Sequence, residues 1–180
     1  MVFTITVVCT GNRNRSPIAE ACIRREARGL PVQVDSVGLL SLGPLPPLPE
    51  SISAAQRLGL DIADHRARHL SDVDLSSRDL ILGLEWKHVA AAVVEGGARR
   101  DQSFTLVELA ILLDRTGPSQ RRSLSDAREI VAAANANRAA QGYIADKDIS
   151  DPFGGPQRAY WTMASKVESL CRGLIGDLFG

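Results

Sequence analysis

Cys9 and Arg15 bracket the stretch "CTGNRNRS", residues 9–16, with Ser16 directly after the arginine. A thiol attacks as its thiolate, and a cysteine reaches that form where backbone amides or positive charges surround it. Thr10, Gly11, Asn12, Arg13 and Asn14 form a short polar loop between the two, and Gly11 and Asn12 are residue types that tolerate positive φ in a tight turn. Ser16 at a cap position and Pro17 in the first turn announce a helix. A loop of amides ahead of a helix N-terminus cradles an anion, and the same field favours a thiolate. Arg15 adds a planar fork of donors suited to a bidentate grip on phosphate, which lysine does not match. Together these residues place a thiolate beneath a bound oxyanion, the equipment for displacing a phosphoryl group from an ester. The bland alternative is a buried, inert cysteine followed by a polar turn.

The chemistry needs a scaffold that ends a strand at Cys9. Residues 2–8 and 32–37 are short and β-branched, and 79–84 is a near-continuous apolar run of the kind found in buried parallel strands. A fourth, short strand is expected around 102–106. Helical spacing appears over 17–28, over 50–59 until Gly59 stops it, and over 86–95. It is clearest from Pro156 onward, where Tyr160, Met163, Ala164, Val167, Leu170, Cys171, Leu174, Ile175 and Leu178 form one stripe. Alternating strands and helices predict an open, parallel four-stranded α/β sheet with helices on both faces. In such sheets ligands bind beyond the carboxyl ends of the strands, where Cys9 lies.

Four prolines between 39 and 49 exclude a regular element there and predict a loop near the sheet edge. Residues 114–122 read as irregular, and an alanine-rich amphipathic helix near 123–140 follows, so 114–145 is expected to be a helical insertion in a single domain spanning 1–180. Lys and Arg total 21 and Asp and Glu total 21, so no general attraction to nucleic acid or a membrane surface is expected. No apolar run is long enough to span a bilayer. Cys9, Cys22 and Cys171 are widely spaced and suggest neither a disulfide framework nor a zinc site; a reducing cytoplasm fits them. His65, His69 and His88 form no evident ligand set, and no metal or cofactor is expected. The phosphate loop of nucleotide-binding proteins, G-x-x-x-x-G-K-[ST], is absent.

With Cys9, Arg15 and Ser16 placed after the first strand, the chain resembles the low-molecular-weight protein tyrosine phosphatases over most of its length. The resemblance implies that Cys9 is the nucleophile, that Arg15 holds the phosphoryl oxygens, and that Ser16 eases the thiolate as leaving group. Thiolate chemistry also needs an acid for the departing oxygen and a base for water. "SDPFGGP" at 150–156 supplies Asp151, extended because a proline follows it. Alone, Asp-Pro reads as a turn; the family's acid in a similar Asp-Pro-aromatic loop implies that Asp151 is acid and base. The resemblance further implies that Asn12 is held by Ser16, Ser36 of "DSVG" and His65 of "DHRAR".

Two positions depart from the family pattern. Asn14 stands where many members carry a second cysteine, so no disulfide shields Cys9 from there, and Arg13 replaces a smaller residue at the pocket mouth. Pocket walls are expected from Leu39, Leu40 and Leu42 and from Phe153, a less aromatic slot than usual. Phosphotyrosine on a protein is the default substrate, with phosphoarginine, a sugar phosphate or another small ester open, and phosphate or sulfate as simple anionic ligands. A thiol-dependent arsenate reductase on the same fold, and a phosphate-binding module without turnover, are the competing classes.

Overall fold

Residues alternate across a strand, and in β1 (Phe3–Cys9) this sends Phe3, Ile5, Val7 and Cys9 to one face and Val8 to the other. All but Thr4 of that strand are buried, as expected for a strand covered on both faces. The computed structural model describes residues 2–113, 123–138, 140 and 144–180. In chain order β1 is followed by α1 (Arg15–Glu26), β2 (Val32–Gly38), α2 (Pro49–Arg57), β3 (Leu80–Gly83), α3 (Trp86–Val94), β4 (Ser103–Thr105), α4 (Leu106–Leu113), α5 (Leu124–Asn137) and α6 (Gln157–Phe179).

The four strands are parallel in the order β2-β1-β3-β4. The chain leaves β1 to one side for β2 and returns to the other side for β3, so a crevice opens beyond the carboxyl end of β1. The larger core lies on the Phe3 face, under α1, α2, α4, α5 and α6. A smaller one, with Val8, Val37, Ile81 and Ala92, lies under α3. The stripe foreseen on α6 is the buried one, except that Leu170 is only partly covered. Phe3 and Phe179 meet edge to face with ring centroids 5.5 Å apart, closing the end of the core away from Cys9.

The expected elements are present with ends moved by one to three residues. Two differences matter. Helix α1 starts at Arg15, with Asn14 at the cap, so Ser16 and Pro17 sit inside the first turn. Asn14 makes no side-chain cap, because its amide is engaged elsewhere. Helix α4 was not foreseen: its "LVELAILL" follows β4 without a break and is apolar almost throughout, so it shows no amphipathic stripe. The region 39–48 is irregular, as its prolines require, and follows the edge strand β2. The expected irregular stretch 114–122 lies outside the described residues. Helix α5 sends Ala127, Val131 and Ala134 into the main core, and Arg128 pairs with Asp79 before β3. Among the described residues no helix is long and apolar enough to cross a membrane.

Candidate active site

Cys9 is the last residue of β1 and is paired with Gly38, the last of β2. A Cβ at Gly38 would stand 2.8 Å from the Asn12 nitrogen and 3.0 Å from the Thr10 oxygen, so a residue with no side chain lets the 10–14 loop fold back over the sheet edge. Within the loop Asn12, not Gly11, takes the left-handed conformation, at φ 51°. That turn aims the Asn12 amide at the sulfur, with N to Sγ 3.2 Å, while the Ser16 hydroxyl donates to the same sulfur at 3.0 Å. Two donors thus converge on one buried Sγ.

A left-handed asparagine costs of order 1 kcal/mol unless its side chain is held. Here the amide Nδ2 donates to Ser16 Oγ at 2.9 Å and to Ser36 Oγ at 2.8 Å. Its Oδ1 accepts from the Arg68 amide at 2.9 Å, and His65 Nε2 lies 2.9 Å from the Asn12 carbonyl oxygen. Both His65 partners are oxygens, so Nε2 carries the proton. Burial holds His65 below its usual pKa, and the ring acts as a neutral brace. The structure thus brings together Asn12, Ser16, Ser36 and His65, and adds Glu20, which accepts from Ser36 Oγ at 2.6 Å. Glu20 lies one turn along α1 from Ser16, a helical spacing that is legible only once the partner is known.

Arg15 is fully buried. Its Nη1 donates to Glu85 and, at 2.9 Å, to the Ile149 carbonyl; Nη2 donates to Thr10 Oγ1 at 3.2 Å and to Asp151 Oδ2 at 2.6 Å. Among the described residues its buried Nε has no hydrogen-bond partner. Burying an unpaired donor is costly, so the fork retains capacity for an anion. Sequence reasoning missed Glu85. Burial pushes its carboxyl up, but hydrogen bonds from Lys87 and Arg15 outweigh this and hold it below its usual pKa, charged against the guanidinium.

His88, which belongs to no evident ligand set in the sequence, sits between the start of α3 and the loop. The Glu85 amide donates to Nδ1 at 2.9 Å, which leaves the proton on Nε2, 3.0 Å from Thr10 Oγ1. The ring is buried, and burial together with the nearby Arg15 pushes its pKa down to about 4. An unfolded imidazole binds a proton below about pH 6.5 whereas this one does not until about 4, so stability is lost as pH falls through that window. The loss attributable to His88 is about 3 kcal/mol. Burial shifts His65 in the same direction. In urea unfolding at pH 7, 5.5 and 4.5, His88→Gln is expected to flatten the pH dependence; lines parallel to those of the unsubstituted protein would assign the effect elsewhere.

Asp151 precedes α6 on the opposite wall. Its Oδ1 accepts from Asn14 Nδ2 at 2.9 Å and from the Phe153 amide at 3.2 Å. Cys9, Thr10, Gly11, Arg13, Asn14, Leu40, Leu42, Leu48, Asp151 and Phe153 line one cavity of about 320 Å³. The expected walls Leu40 and Phe153 stand at its mouth, 48% and 72% exposed, whereas Leu39 packs on the smaller core instead. Arg13 Nε donates to the Pro46 carbonyl at 2.7 Å, which ties the loop to the proline-rich segment. Cys22 and Cys171 are fully buried on α1 and α6 and line no part of this cavity. Contact with Cys22, together with burial, pushes the Cys171 thiol up. Among the described residues no cluster of three His, Cys, Asp or Glu could hold a metal ion.

A family model for low molecular weight phosphotyrosine protein phosphatase matches residues 4–116, which include Cys9, Arg15 and the bracing residues. The chain belongs to that family. A probable low molecular weight protein-tyrosine-phosphatase, EpsP of Ralstonia nicotianae, is 40% identical over 85 residues, or 47% of this chain and 57% of the relative. The match thus spans little more than half of that relative's length. The protein-arginine-phosphatase of Bacillus subtilis is 27% identical over 176 residues, covering 97% of this chain and 95% of its own. A low molecular weight protein tyrosine phosphatase from T. tengcongensis superposes with a TM-score of 0.72 at 26% identity, over 96% of this chain and 97% of that one. Asp151 lies beyond the matched residues 4–116 but within the reach of these two longer alignments.

Proposed function

We propose that the protein is a phosphomonoester hydrolase acting on phosphorylated protein side chains through a phosphocysteine at Cys9. The observation that carries this reading is the buried Cys9 sulfur, receiving the Asn12 amide and the Ser16 hydroxyl beside the buried fork of Arg15. The Cys9 thiolate attacks phosphorus, the S–P bond forms as the P–O bond breaks, and the leaving oxygen takes a proton from Asp151. The resulting Asp151 carboxylate then accepts a proton from water as its oxygen attacks phosphorus, and the thiolate leaves with the Ser16 hydroxyl donating to it. Thr10, Gly11, Asn12 and Arg13 present the loop to the phosphoryl group. The residues at hand supply nucleophile, anion grip and acid, so the chemistry is written without metal or cofactor. The segment 1–180 is read as one domain elaborated at 114–145, working in the cytoplasm, where Cys9 stays reduced.

Phosphotyrosine is the first substrate reading, on the names of the Ralstonia and T. tengcongensis relatives. Phosphoarginine, in which a P–N bond breaks in place of P–O and the departing guanidine nitrogen takes the Asp151 proton, is the second, favoured by the name of the relative aligned over 97% of the chain. Phosphate release from phosphotyrosyl peptides, phosphoarginyl peptides and sugar phosphates tests both. Turnover of the phosphotyrosyl peptide is expected, with Asp151→Asn lowering kcat/KM about 100-fold or more. Preference for the phosphoarginyl peptide selects the second reading, and absence of turnover on all substrates by folded protein defeats the proposal.

A further inference from the structure

Asn14 is a buried side chain in a loop shaped for an anion, yet it faces neither Cys9 nor the helix amides it precedes. Its Oδ1 accepts from the Ser51 hydroxyl at 2.8 Å, and its Nδ2 donates to Asp151 Oδ1 at 2.9 Å. The orientation of the amide follows from its partners. A carboxylate only accepts, so the NH₂ end must face Asp151, and the hydroxyl of Ser51, fully buried in the first turn of α2, takes the carbonyl end. A chain of contacts therefore runs from α2 through the anion loop to the segment ahead of α6. A second tie, from Gln157 Nε2 to the Glu50 carbonyl at 3.0 Å, holds the same two helices together.

The two oxygens of Asp151 are treated differently. Oδ1 receives both the Asn14 amide and the Phe153 amide, whereas Oδ2 receives Arg15 Nη2 at 2.6 Å. An oxygen already accepting two N–H donors is a poor seat for a proton, so the protonated acid carries its hydrogen on Oδ2. Oδ2 is also the oxygen that loses its partner when a phosphoryl group occupies the Arg15 fork. The Asn14 contact does not depend on Arg15 and persists through that exchange.

We propose that Asn14, oriented by Ser51, is the positioning residue of the acid: it fixes Asp151 Oδ1 and so reserves Oδ2 as the oxygen that gives its proton to the leaving group. The inference rests on the phosphatase reading above and on the two hydrogen bonds that fix the Asn14 amide between Ser51 and Asp151.

The test is kcat/KM across aryl phosphates, from 2,4-dinitrophenyl phosphate, whose leaving group needs no acid, to phenyl phosphate, whose leaving group does. Asn14→Leu, which keeps the shape and removes the donor, is expected to lower phenyl phosphate turnover about tenfold while 2,4-dinitrophenyl phosphate changes by about twofold or less. Competitive inhibition by inorganic phosphate is expected to be unchanged. Ser51→Ala, which leaves the amide in place but frees its rotation, is expected to give the same selective loss in smaller measure, and it carries the comparison if Asn14→Leu does not fold. In an Asp151→Asn background, Asn14→Leu is expected to add nothing. An equal fall for both esters, weakened phosphate inhibition or unchanged turnover in both variants would overturn the proposal. Failure of the unsubstituted protein to hydrolyse any aryl phosphate or phosphoarginyl peptide would instead defeat the phosphatase reading itself.

Discussion

Cys9→Ser is expected to reduce phosphate release by about 10,000-fold or more, the scale on which loss of a covalent nucleophile acts. Serine fits the site: it is smaller than cysteine, and the Asn12 amide and Ser16 hydroxyl that now meet Sγ at 3.2 and 3.0 Å would meet Oγ with little adjustment. What is lost is ionisation. An aliphatic alcohol keeps its proton at neutral pH, and among the described residues no base hydrogen-bonds to position 9: Ser16 donates, and His65 and His88 are engaged with Asn12 and Thr10. Phosphate binding should survive, because Arg15 and the loop amides are untouched. A stopped assay for inorganic phosphate, paired with calorimetric titration of phosphate, separates the two. Retained turnover in Cys9→Ser would show that the nucleophile is water or another group and would remove Cys9 from the mechanism. Loss of phosphate affinity together with turnover would show instead that the thiolate shapes the anion loop.

The sheet was legible because β1 and β2 carry β-branched residues and β3 a near-continuous apolar run. Strand β1 reads as "FTITVVC" with only Thr4 partly exposed, and its register against β2 delivers Cys9 opposite Gly38. Helix α6 was legible for the complementary reason, a stripe with a polar back. Helix α4 was not, since an apolar run of eight residues directly after a strand has no periodicity to separate it from a longer strand. The start of α1 was misplaced by the same kind of ambiguity. Ser16-Pro17 is a sound helix-start signal, but here the serine hydroxyl is spent on Cys9 and the helix begins at Arg15.

At the site, residues that act through local sequence were readable and those that act across the fold were not. Cys9, Arg15 and Asn12 share one loop, and their types announce an anion. Glu85 and His88 reach that loop from the start of α3, seventy residues away, and nothing in "LEWKHV" separates them from solvated helix-start residues. Asn14 shows the limit most clearly. Its type departs from the family pattern, but its partners Ser51 and Asp151 lie 37 and 137 residues on, and the contacts form only where α2, the loop and the segment before α6 converge. A polar side chain's identity says what it can bond, and the fold alone says to what.

Arg15→Lys tests that convergence from the other side. Lysine preserves the charge, so an account in which Arg15 only supplies a positive field predicts a small effect. The structure predicts a large one. The guanidinium meets Glu85, the Ile149 carbonyl, Thr10 Oγ1 and Asp151 at once and keeps Nε in reserve, and an ammonium group has three donors on one atom that cannot span those positions. Lysine therefore either pairs with Glu85 and leaves the anion without a clamp, or follows the anion and leaves Glu85 with Lys87 as its remaining side-chain cation. The expected result is a fall in kcat/KM of about 1,000-fold, the scale of lost transition-state donors, with weaker competitive inhibition by phosphate. Stability is expected to drop by about 2 kcal/mol in urea unfolding, because buried acceptors lose partners. If Arg15→Lys kept its rate within about tenfold, preorganised bidentate geometry would not be what the fork contributes. A rate loss without any change in phosphate inhibition would confine Arg15 to the transition state, and a stability loss alone would make the clamp a structural element of the fold.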